Sequence, residues 1–297
     1  MEFVDQKALS LLKVAETGSF TRASKELCLS QPAISNQIKI EEEAFGFKIF
    51  ERTPSGVRTT KKGSMVIKYL SRMNSIANEL KNAISEEILN LKSLSLGITH
   101  TVESSIVVEA IAKYIKKNNS GMTIRITSDT SASLYNRLKN HELDFVILEG
   151  RCNDVEHNCV LLGTDSLVLV TSSESELASR STLTLDELKR ENLIMRLPDS
   201  NTMQIFKQVL KQNNCSLEDF NVSMEIDNIA TIKDLVWRNF GVSVLAKSVC
   251  MDEVRKGKLA VLNIEGISMV REINLVYPKN FEYTDIIQGI VRCYNEL

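Results

Sequence analysis

The stretch Ser19–Lys39, SFTRASKELCLSQPAISNQIK, constrains this chain more than any other, because it spells two short helices around a tight turn. Ala23 and Leu27 stand four apart, so they can share the buried face of the first helix. Cys28-Leu29-Ser30 interrupts that pattern. Pro32 then fits the first turn of a second helix, where a missing N–H costs nothing, and Ser30 is a good N-cap for it. Ile34 and Ile38 form its inner face, which leaves Gln31, Ser35, Asn36 and Lys39 outward. Amides can bond base edges, while hydroxyls and ammonium groups hold phosphates, so this outer face suits a major-groove reader. An ordinary helical hairpin with a solvated face shows the same local pattern.

The flanking residues separate these readings. The run FVDQKALSLLKVAETGSFTRASKELCLSQPAISNQIKIEEEAFGFKIFERTPSGVRTTKKG places Phe20-Thr21-Arg22-Ala23, Leu27, Ser30-Gln31-Pro32-Ala33, Ser35, Gln37-Ile38, Gly46, Phe50-Glu51-Arg52, Thr60 and Gly63 at fixed spacings. In these residues it resembles the N-terminal module of the LysR-type transcriptional regulators. One position departs: Glu41 stands where the family has a leucine that packs the recognition helix. The resemblance implies a winged helix-turn-helix over residues 1–60. Ile49-Phe50 starts an extended piece, Thr53-Pro54-Ser55-Gly56 is turn chemistry, and Val57–Thr60 returns. Arg52 and Arg58 flank that wing, where they can reach phosphates or a minor groove. The expected DNA-binding set is Arg22, Ser30, Gln31, Pro32, Ser35, Asn36, Lys39, Arg52 and Arg58.

Charge is divided only weakly. Residues 1–92 hold 14 Lys/Arg against 11 Asp/Glu, so strong non-specific DNA binding is not expected. At 297 residues a single core is not expected either. No apolar stretch has the length of a membrane span, and MEFVDQK lacks an apolar signal-peptide core; a cytoplasmic protein without membrane contact is predicted. The six cysteines, Cys28, Cys152, Cys159, Cys215, Cys250 and Cys293, form no C-x-x-C pair and are expected as small buried hydrophobes. The proximity of Cys152 and Cys159 leaves a redox pair as a competing reading. Peroxide-sensing relatives in the resembled family carry a cysteine pair near mid-chain, whereas Cys215 stands alone there.

Residues 61–92 read as one long helix. Val66, Met73 and Leu80 recur every seven, with Tyr69/Leu70, Ile76/Ala77 and Ala83/Ile84 between, which is the seam of a coiled-coil contact. In the resembled family this segment is a linker helix that pairs two subunits, implying a homodimer, then a tetramer as a dimer of dimers. Promoter DNA is the implied partner, with RNA polymerase as a further one.

From Leu94 the chain alternates strands and helices, which predicts a mainly parallel α/β sheet. Leu96-Gly97-Ile98, Gly121, Leu143-Asp144, Gly241-Val242 and Gly257-Lys258-Leu259 resemble the effector-binding region of the same family. Two Rossmann-like lobes are implied, as in type 2 periplasmic binding proteins, with residues 93–163 and 267–297 in one and 164–266 in the other.

Ligands of such sheets sit at the carboxyl ends of strands. That rule selects Thr99, His100 and Thr101, then Ser128, Thr130 and Ser131, then Asn201, Thr202 and Asn228, as residues for a small and anionic effector. Asp129 would oppose an anion if it faced inward. All of these residues also make ordinary N-caps. The Thr-His-Thr run resembles the opening loop of the sulfur-assimilation regulators in the family. His141 and His157 lack ligand spacing with His100, so no metal is expected, and no phosphate loop or Ser-His-Asp signature marks a cofactor or catalytic residue. An enzyme or solute-binding protein using the lobes alone would have no use for the reader. The expected function is a non-enzymatic transcriptional regulator.

Overall fold

The computed structural model describes residues 4–54, 56–89, 93–103, 106–118, 121–150 and 155–297. The chain divides into two compact units, Met1–Ser93 with Lys139–Glu142, and Leu94–Leu138 with Leu143–Leu297.

In the first unit, α1 (Gln6–Thr17) starts where the Asp5 side chain accepts the Ala8 N–H, and stops at Gly18 in the left-handed region. Helix α2 (Phe20–Glu26) is capped by Ser19, and α3 (Gln31–Phe45) by Ser30 with Pro32 in its first turn. Strands β1 (Phe50–Thr53) and β2 (Gly56–Thr59) form an antiparallel hairpin with Glu51 opposite Arg58. Helix α4 (Lys61–Leu89) follows. Leu11, Val14, Ala23, Ile34, Ile38, Ile49 and Phe50 close a core under the reader, and Val66, Ile67 and Leu70 of α4 pack against it. Val66 therefore belongs to this core and not to the seam predicted for it. Gly63 lets α4 lie on the wing's entry: a Cβ there would stand 2.0 Å from the Ile49 carbonyl oxygen.

The leucine-to-glutamate departure has a local answer. Glu41 is half-buried and accepts a 3.1 Å hydrogen bond from Lys7 Nζ on α1. That bond, with the neighbouring carboxylates, raises the Lys7 pKa. An ion pair replaces an apolar contact between α1 and α3.

The second unit runs β3 (Ser93–Thr99), α5 (His100–Glu103), α6 (Val107–Asn118), β4 (Thr123–Asp129), α7 (Ser131–Lys139) and β5 (Phe145–Glu149). The 16-residue strand β6 (His157–Ser172) follows, then β7 (Thr182–Leu183), α8 (Leu185–Leu188), β8 (Asn192–Arg196), α9 (Asn201–Gln212) and β9 (Asn221–Ile226). The chain closes with α10 (Ile229–Trp237), β10 (Ser243–Ala246), α11 (Lys247–Arg255), β11 (Leu259–Ile264), β12 (Val270–Pro278) and α12 (Thr284–Asn295).

The main sheet has the order β4-β3-β5-β12-β6-β11-β7, with β10 also on β6, and β8-β9 pair separately. It is mixed, which corrects the expectation of a mainly parallel sheet. Pairs β3–β5, β8–β9 and β7–β11 are parallel, but β12 runs antiparallel to β5 and β6, as do β10 and β11 to β6. The two long strands β6 and β12 carry the chain between two cores and must run in opposite directions. One core is built from residues 167–269 around Leu169, Ile194, Phe206 and Val244. The other draws on both ends of the unit, with Leu96, Ile98, Phe145, Leu275 and Ile290. The second unit is thus a two-lobed α/β fold.

Two of the five described cysteines depart from the buried expectation. Cys250 and Cys293 are buried and Cys215 is half-buried, but Cys28 and Cys159 are exposed. Cys28 sits in the reader's turn at φ 54°, where the chain must bend sharply and keeps its side chain outside. Burial pushes the Cys250 thiol up to about 12. Cys152 lies outside the described residues.

Candidate nucleic-acid interface and effector site

The outer face of α3 is built by what the inner face buries. Ile34 and Ile38 are 0% and 3% exposed, and Gln37 turns inward to accept the Ser10 hydroxyl at 2.6 Å. Gln31, Pro32, Asn36 and Lys39 are consequently exposed, with Ser35 half-buried. Ser30 is spent as a cap, its hydroxyl accepting the Ala33 N–H. Gln31 Nε2 donates to Ser35 Oγ at 3.1 Å, so these two polar groups are held as one unit. Arg22, Arg52 and Arg58 are exposed. Arg58 Nε pairs with Glu51 at 2.6 Å across the wing, and Lys39 lies 3.7 Å from Glu43. Exposed pairs of this kind are weak, so both cations can be surrendered to phosphates.

The wing is fixed from below by a carboxylate. Glu42, buried at the rear of α3, accepts the N–H of Ile49 at 2.9 Å and of Phe50 at 3.2 Å, and takes Lys48 Nζ at 2.6 Å. Burial would raise its pKa, but the Lys48 and backbone hydrogen bonds outweigh it and hold the carboxyl below its ordinary value.

In the second unit, the predicted residues divide between caps and unsatisfied groups. Thr99 is buried and accepts the Val102 N–H, Thr130 accepts the Ser133 N–H, and Asn228 caps α10 through the Thr231 N–H. Ser128 donates to Glu103 at 2.7 Å. Thr101 and Thr202 are buried. Among the described residues, Ser131 Oγ and Asn201 Oδ1 are buried without a hydrogen-bond partner. His100 lies 3.9 Å from Glu103 on its own helix and 3.9 Å from Asp227 of the other lobe. Burial works against Asp129, but the Ser133 hydroxyl and Thr130 N–H hold its pKa below the usual value.

The strongest charges at this place were not singled out in the sequence. Strand β8 ends on Arg196, which is 3% exposed and donates to Asp227 at 3.1 Å. Burial disfavours the Arg196 charge most, while Asp227 and then Glu149 support it. Strand β5 ends on Glu149, whose Oε1 lies 3.2 Å from Arg271 Nη1. Arg271 on β12 faces Asp165 on β6, with Nη2 3.4 Å from its carboxylate. Asp165 also accepts the Ser248 N–H and hydroxyl at the start of α11. A signal existed in the runs FVILE and NLIMR: apolar strands whose last residue is charged place that charge at the ligand-binding edge of the sheet.

An exposed polar helix face beside a basic wing, on a chain that continues into a two-lobed unit with buried polar groups at its strand ends, defines a ligand-responsive DNA-binding regulator. Residues 7–64 match the model of the bacterial regulatory helix-turn-helix protein, lysR family, and residues 90–296 match the LysR substrate binding domain. The chain belongs to the LysR family of transcriptional regulators, whose members act on DNA and are not enzymes.

Among its relatives are the transcriptional activator CmpR of Synechocystis, 26% identical over 93% of this chain and 89% of that protein. The RuBisCO operon transcriptional regulator of Allochromatium vinosum is 27% identical over 90% and 87%. The fold matches full-length CbnR solved with its target DNA, with a TM-score of 0.66 at 17% identity over 100% of this chain and 99% of that one. Among the described residues, no helix is long and apolar enough to cross a membrane.

Proposed function

We propose that the outer face of α3 reads promoter bases in a major groove while Arg52 and Arg58 on the wing and Arg22 on α2 hold phosphates. The observation that carries this reading is the exposed Gln31-Ser35-Asn36-Lys39 face backed by a closed core. Ser30 and Pro32 set the helix start that presents it. A pull-down of genome fragments with the purified protein, followed by sequencing of the bound DNA, tests it. Fragments sharing a dyad support the reading, and random DNA opposes it.

Gln31→Ala and Ser35→Ala are each expected to weaken operator binding by ~1–3 kcal/mol. Because the two side chains are hydrogen-bonded, the double variant should lose less than the sum. Fluorescence anisotropy on a labelled operator measures all three. Strict additivity would separate their roles.

The helix α4 pairs two subunits in this reading. Met65, Tyr69, Met73, Ile76, Leu80 and Ile84 repeat at four- and three-residue steps and are 45–63% exposed. An apolar stripe of this length on a helix is a seam in need of a partner. Two readers held together meet half-sites one helical turn, or a multiple of it, apart. Pairs of dimers then make a tetramer, and RNA polymerase is the further partner on the promoter. Replacing Ile76 and Leu80 by glutamate should weaken dimerisation by about 100-fold or more, since each buried aliphatic side chain contributes ~1.5–3 kcal/mol. Sedimentation equilibrium reads the change; an unaltered dimer would move the contact elsewhere.

The small-molecule effector binds where the lobes meet, between Thr99–Thr101, Ser128–Ser131, Asn201-Thr202 and Asn228. The unpartnered Ser131 Oγ and Asn201 Oδ1 support this placement. Occupation biases the lobes and so the spacing of the readers.

A further inference from the structure

We propose that Arg196 is the receptor for an oxyanion carried by the effector, a carboxylate or a phosphate ester, and that Asp227 is an internal stand-in which that group displaces. The inference rests on the effector-site reading above and adds the ligand's chemical class and the first event of its binding.

A guanidinium presents five N–H donors in a planar fork suited to two parallel bonds with one oxyanion. Arg196 is 3% exposed, yet among the described residues only its Nη2 has a hydrogen bond, to Asp227 Oδ1 at 3.1 Å. Its Nε is buried and has no hydrogen-bond partner among the described residues. A buried cation held by one end-on contact is under-compensated, and the Nε edge of its fork lacks an acceptor among the described residues.

The neighbouring acids do not supply that acceptor. Glu149 lies against Arg271, and Asp165 is divided among Arg271, Ser166 and Ser248. Asp227 is 54% exposed, so its carboxylate can return to water once another anion takes its place on Arg196. Arg196 cannot leave in the same way, because its side chain is buried. The asymmetry makes exchange of one anion for another the easy path.

The ligand should also carry hydroxyl groups. Asn201 Oδ1, five residues beyond Arg196, is a buried acceptor, and Ser131 Oγ in the other lobe is buried, both without a partner among the described residues. A small hydroxy acid or sugar phosphate satisfies both demands. Binding is coupled to the lobes because Asp227 also lies 3.9 Å from His100 of the first lobe. Displacing Asp227 from Arg196 changes that cross-lobe contact, so the ligand acts differently on the two arrangements.

The test uses the full-length protein, with inorganic phosphate, glycerol 3-phosphate, glycerate and neutral glycerol as probes in calorimetric and melting titrations. Asp227→Asn removes the stand-in and should bind phosphate about tenfold tighter than the parent, or gain a phosphate-dependent rise in Tm that the parent lacks. Adding Arg196→Gln, or Arg196→Lys where the first variant folds poorly, should abolish the gain. Glycerol should have no effect, and the stronger of glycerate and glycerol 3-phosphate identifies the oxyanion. Equal or weaker anion binding by Asp227→Asn overturns the proposal, as does a gain that survives loss of Arg196. Operator binding is measured in parallel. Tighter anion binding that leaves operator affinity unchanged would sustain Arg196 as the receptor and overturn the effector-site reading beneath it.

Discussion

Arg271→Ala is expected to destabilise the second unit by ~3–5 kcal/mol, the cost of breaking a buried ion cluster from one side. The side chain is 2% exposed and lies between Glu149, 1% exposed, and Asp165, 6% exposed. Asp165 would keep the Ser248 and Ser166 bonds, but among the described residues neither oxygen of Glu149 has a hydrogen bond to fall back on. The site also joins β5, β6 and β12 where the chain passes between its two cores. Trp237, the single tryptophan, lies in this unit, so denaturant unfolding followed by its emission reads the loss directly. Arg271→Met combined with Glu149→Gln should recover much of the stability, because no unpaired buried charge remains. A loss under about 1 kcal/mol for Arg271→Ala would show the cluster to be solvated.

Glu42→Ala should cost the reader unit ~2–4 kcal/mol, since two buried N–H groups lose their acceptor together. The effect has an address: the amides of Ile49 and Phe50 should lose protection in hydrogen exchange while those of α1 change least. It also has a pH signature. The folded pKa of Glu42 is lowered, so its contribution is fully present above the unfolded carboxyl value near ~4.3 and is lost as pH falls through the folded value. Glu42→Gln should flatten that part of the stability profile. Unchanged exchange at Ile49 and Phe50 in the alanine variant would remove Glu42 from the wing's support. Operator binding should weaken alongside, because the wing that carries Arg52 and Arg58 starts from those two amides.

Much of this protein is local physics and was open to reading. The caps Ser19 and Ser30, Pro32 in the first turn of α3, and the glycines closing α1 and α3 are each set within a few residues. The alternation of apolar strands and amphipathic helices after Leu94 likewise announced an α/β unit. The outward face of α3 followed from a 3.6-residue period and two buried isoleucines.

What tertiary structure alone decided is pairing across long separations. Whether β6 and β12 run with or against their neighbours depends on the path between two cores, which no window of sequence contains. Val66, which the heptad spacing assigns to the stripe, packs on the core that α1 and the wing close. Glu41 was tolerable because Lys7 stands on a helix folded back onto it. Arg196, Glu149, Asp165, Arg271 and Asp227 come from five separate strands or strand ends, and only folding brings them to one place. The sequence determined the helix-turn-helix, the long helix α4 and the kind of domain that follows, because helix periods and caps act within one or two turns. The charged cluster at the proposed effector site was left to the fold, because the field at a buried group is the sum over neighbours that chain order does not bring near.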